Sequence, residues 1–254
     1  MIIHDHDIKL RLPSSQESFA KAEPLEGAFF SATGFTSSPS VLCALSAEAA
    51  FIGIVSILGR ATSYLQHGGV KGDTHFPWHS NSKLSSLRGE LAVWYSSMPN
   101  AFQQTGLERN SSMTVLTIAC YHLIHCLIFR DFLPVDYQRE SSDMSTAAVH
   151  RTWQAETAEA CISNANEIGN ILQLVQNGQD PVPPFTGFCA FIAATIHLHG
   201  WHWNIPQISA GSKEYLTLEL RFLLGTKKMW AGLDNLVTPG LFDWFADDRA
   251  IVCD

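Results

Sequence analysis

The chain predicts an all-α fold: a compact array of about six long helices behind a short extended lead-in. Three observations carry this. Apolar residues recur every three to four positions in several long stretches, the connections between them carry Pro or Gly, and no convincing pair of strands is present. The composition agrees. Hydrophobic residues make up 46% of the 254 positions and charged residues only 16%, against about 25% charged in a typical soluble domain. A chain so sparing with charge must bury much of itself.

Residues 8–13, IKLRLP, alternate apolar and polar and end on a proline, which predicts an extended segment. Residues 14–40 are rich in Ser, Gly and Pro, so residues 1–40 read as an irregular lead-in and residues 41–254 as a single helical domain. Residues 42–66 are apolar nearly all round and stop at His67, Gly68 and Gly69, as a buried helix with a glycine stop does. Residues 68–80 read as a loop. Over 82–97, Leu84, Leu87, Leu91 and Trp94 line one helical face that ends before Pro99. Ser111 or Ser112 can cap a helix running to about Leu133. A polar linker over 135–146 precedes a helix from about Thr146 to Gln176, closed by Asn177 and Gly178. A proline-rich connection leads to an apolar helix from Phe185 to Trp203. The last helix is expected over 213–236, before a tail that offers Phe242, Trp244 and Phe245 for packing.

The formal net charge is −8 and the isoelectric point about 5.7. A nucleic-acid binder needs a basic patch to displace counterions from phosphates. Only Arg60 and the pair Lys227 and Lys228 stand out as basic spots, so direct nucleic-acid binding is not expected. The cysteines, Cys43, Cys120, Cys126, Cys161, Cys189 and Cys253, include no C-x-x-C pair, and the first five sit in apolar runs. That excludes a disulfide framework and a zinc site, and reduced thiols fit the nucleus or cytoplasm. The first 20 residues have no apolar core of a secretory signal. Three apolar stretches, 41–58, 113–129 and 188–198, are interrupted by Glu48, by His122 and His125, or are too short for a bilayer, so they read as core helices rather than membrane spans.

Several local patterns fall in one order: Ile8 to Pro13 with Phe19; Leu58, Gly59, Arg60 and Tyr64; Leu84, Leu87, Leu91, Trp94, Met98 and Pro99; Tyr121 and His122, then Leu127, Arg130 and Leu133; Cys161, Ala165 and Ile168; and the run PFTGFCAFIAATIHLHG over 184–200, followed by Trp230. This order resembles the fungal-specific regulatory region of binuclear zinc-cluster transcription factors, the middle homology region, over roughly residues 8–235. The resemblance implies an all-helical region that controls a DNA-binding module carried elsewhere, sometimes in response to a small metabolite. The chain departs from the family where Ile128, Phe129, Arg130 and Asp131 replace the usual Leu-His-Arg-Pro. It also has no cysteine before Cys43, where the family's six closely spaced zinc ligands would stand.

Candidate functional residues follow from spacing. His122 and His125 share a helical face and are acid–base candidates. No carboxylate or third ligand sits at a helpful spacing, so no metal is expected. His197, His199 and His202 cluster with Trp201 and Trp203, but 197 and 199 point about 200° apart on a helix. His199 and His202 join the acid–base candidates, and Trp201 and Trp203, with Trp94 and Arg130, are the ligand-binding candidates. No P-loop, dinucleotide fingerprint or G-x-S-x-G elbow occurs, so no cofactor is expected. Two functions remain open. One is a stand-alone regulatory domain that binds a small apolar metabolite or a partner transcriptional regulator. The other is a cofactor-independent cyclase or isomerase of the pericyclase type (such as a Diels–Alderase of fungal secondary metabolism), which needs little beyond orientation and a hydrogen-bond donor.

Overall fold

A computed structural model describes residues 11–13, 19–22, 46–98, 112–133, 144–177, 183–202 and 206–227; within these the side chains of 144–148, 177, 206–210 and 227 are not described. Among the described residues the fold is all-α. Six helices follow in order: α1 Ala47–Gln66, α2 Lys83–Ser96, α3 Ser112–Phe129, α4 Met144–Asn177, α5 Pro184–Trp201 and α6 Pro206–Lys227. Short 3-10 turns stand at Gly69–Gly72 and Arg130–Phe132. The chain forms two compact units, Met1–Ile124 and His125–Asp254, and the division falls within α3.

In the first unit, α1 packs on α2. The inner stripe of α1 is Ala50, Ile54, Ile57, Ala61 and Tyr64, all buried. The facing stripe of α2 is the expected Leu84, Leu87, Leu91 and Trp94, also buried. Small residues at Ala50 and Ala61 let the two backbones approach, and the Trp94 indole Nε1 donates to the Ala50 carbonyl at 3.3 Å. Helix α1 starts at Ala47, not at residue 42, because Ser46 takes extended backbone and its Oγ accepts the Ala49 N–H. The same hydroxyl donates to the Pro13 carbonyl at 3.2 Å, tying the lead-in to the helix start. Within residues 11–13, Leu12 is buried between exposed neighbours, the alternation expected of an extended segment. Gly68 stops α1 in the left-handed region at φ 96°, where a side chain is strained.

In the second unit, α5 packs against both α4 and α6. It is buried nearly all round, with Gly187, Ala190, Ala193, Ala194 and Gly200 giving close approach. Phe132 meets Trp153 of α4 edge-on, with ring centroids 4.5 Å apart. Helix α3 ends at Phe129 and tightens into the 3-10 turn rather than running helical to Leu133, which is extended before Pro134. Helix α6 begins at Pro206, seven residues earlier than expected. A proline at the first helical position has its φ already set and lacks only an N–H that would go unsatisfied there. The expected end of α6 near 236, Trp230 and the aromatic tail lie outside the described residues.

The run Ser112–Phe132 is long and apolar enough to cross a bilayer, and 67% of its apolar window is buried within the protein. A core helix meets the same length and composition test.

Candidate functional site

Helix α1 has apolar residues left over once its inner stripe is packed. Phe51, Ile52, Val55 and Gly59 lie off that stripe and line an open groove of about 580 Å³, whose wall also holds Ser56, Arg60 and Ser63. Val55 is 41% exposed. A second, more polar pocket of about 290 Å³ opens where the end of α1 meets the start of α2. It shares Arg60 and Ser63 with the groove and adds His67, Lys83, Ser86 and Glu90. The Arg60 guanidinium is held by neighbours: Nε and Nη2 donate to Glu90 Oε2 at 2.8 and 2.5 Å, and Nη1 donates to Ser56 Oγ at 2.9 Å. The arrangement is thus an apolar strip that ends at an oriented cation. The sequence signal for it was the all-round apolar character of 42–66, since apolar residues off the stripe packed on α2 line the groove.

The second unit holds a buried polar seam. His197 of α5 and Glu219 of α6 are each fully buried. His197 Nδ1 lies 2.9 and 3.0 Å from the two Glu219 carboxyl oxygens, and Nε2 lies 3.0 Å from Asn166 Oδ1 of α4. Burial pushes Glu219 well above the usual carboxylate range and His197 down to about 4. Both shifts express one fact: the site excludes net charge, so the pair keeps a single proton between them. Tyr215 stacks on the His197 ring at 5.2 Å and donates its hydroxyl to Asn170 Oδ1 at 3.0 Å. Gly169 makes room for that ring, since a Cβ there would stand 2.9 Å from Tyr215 Cε1. With His197 and Glu219 both fully buried, the seam joins three helices. Sequence reasoning missed it, although Glu219 sits three residues after Leu216 and four before Leu223, on the buried side of α6. A lone carboxylate on an apolar face requires a partner.

Nearby, the Cys126 and Cys161 thiols each point at the other's backbone carbonyl, at 3.9 and 3.8 Å. Burial, then the neighbouring Cys161, pushes the Cys126 thiol well up, which makes it a poor nucleophile.

The residues singled out from the sequence fall in several places. His122 is half-buried and edge-on to Tyr121, with centroids 5.1 Å apart. His125 is half-buried beside Phe129, at 5.6 Å. His199 and His202 are exposed, and His202 lies 5.4 Å from the Trp201 ring. Trp201 packs on the cluster of Ala194, Leu216 and Leu220, and the Lys213 ammonium sits 5.5 Å above its ring. Arg130 is largely exposed, 4.0 Å from Asp131. Trp94 is buried and spends its N–H on α1. Trp203 lies outside the described residues. None of the seven that are described lines the groove or the pocket on α1.

Comparison with known proteins points the same way as the ordered motifs. Over 195 residues, 76% of this chain, it is 24% identical to the Zn(2)-C6 fungal-type transcription factor FTF2 of Fusarium oxysporum f. sp. lycopersici. The chain is similar to one stretch of these fungal regulators. The factors FTF1c and FTF1a of the same organism match at 23% identity over the same share of the chain. The match spans only 17% to 20% of each of these relatives. No family model matches the chain. No solved structure matches it significantly.

Proposed function

We propose that this chain is a regulatory domain of the fungal zinc-cluster transcription-factor kind, acting in the nucleus through a small apolar ligand or a partner regulator and making no DNA contact of its own. The observation that carries the reading is the similarity to Zn(2)-C6 factors across 76% of the chain. The long apolar helices match what that likeness calls for, and the groove along α1 offers a place for a ligand. The net charge of −8 and the absence of closely spaced cysteines within residues 1–254 support leaving DNA reading to another module.

The experiment is deletion of the gene alone, followed by RNA levels of its genomic neighbours and mass spectrometry of the culture. The expected result is a coordinated change in those transcripts. One accumulated pathway intermediate with unchanged transcripts overturns the regulatory reading and marks the protein as an enzyme.

A further inference from the structure

We draw no further inference here: the strongest candidate, the surface patch on the loop between α1 and α2 where Phe76 stacks on Trp78 and lies largely open to solvent, is an apolar surface with nothing in the structure to show what covers it.

Discussion

Glu219 and His197 give the molecule a pH profile that no surface group imitates. The folded pair holds one proton because burial raises the carboxyl and lowers the imidazole. Unfolded, the two groups titrate near their ordinary values of 4.5 and 6.5. Between those values the unfolded pair also holds one proton, and the pair adds no slope to stability. Above 6.5 the unfolded pair releases its proton while the folded pair keeps it, so stability falls as pH rises, by about 1.4 kcal/mol per pH unit. Below 4.5 the unfolded pair holds two protons, and stability falls as pH drops until folded His197 takes up its own proton at about 4. Glu219→Gln removes the alkaline fall and leaves a loss that begins as pH drops through the ordinary histidine value. Urea midpoints measured from about pH 5 to 9 read this directly; an alkaline slope that persists in E219Q refutes the one-proton pair. At Gly169, an added methyl drives into the Tyr215 ring, 2.9 Å from Cε1. Gly169→Ala should lower stability by about 1–3 kcal/mol, checked by the same midpoints. Neither effect is legible in the sequence, where Glu219 and His197 are 22 positions apart.

Helix ends carry the next level of specification. Ser46 and Ser82 both cap, each accepting the N–H three residues on. Each hydroxyl also donates, that of Ser46 to the Pro13 carbonyl at 3.2 Å in an exposed setting and that of Ser82 to the Pro77 carbonyl at 3.0 Å in a buried one, where it pins the loop before α2. Ser46→Ala should therefore cost about 1 kcal/mol, and Ser82→Ala about 2 kcal/mol, as unfolding midpoints will show. Equal losses would mean that the buried Pro77 contact contributes no more than the exposed Pro13 contact. The stripe Leu84, Leu87, Leu91 and Trp94 was readable because α2 presents one apolar face to one neighbour. The start of α6 was not, because Gly211 and Ser212 resemble a break, whereas α6 is packed on α5 and α4. The interior glycine and serine cost propensity that tertiary contact outweighs.

The whole chain is acidic, with a formal net charge of −8. Mobility-shift assays with duplex DNA at moderate salt should show no complex, even at protein concentrations where nonspecific binders, with dissociation constants of about 10⁻⁴ to 10⁻⁶ M, shift DNA. A salt-dependent complex would contradict the proposed division of labour with a separate DNA-reading module. The similarity to Zn(2)-C6 factors covers 76% of this chain but at most 20% of the relatives in hand. The deletion experiment therefore addresses what this stretch does.

Helical character, the order of the helices and the buried stripe on α2 could all be read in one dimension, because they depend on period and on the local chemistry of Ser, Gly and Pro. Partners across helices could not. That His197 meets Glu219 and Asn166, and that Arg60 is aimed by Glu90, follow from which helix lies against which. Spacing gives the face a residue occupies on its own helix, whereas the side chain's environment is set by a neighbour tens of residues away. The histidines chosen by spacing and those joined by packing therefore differ.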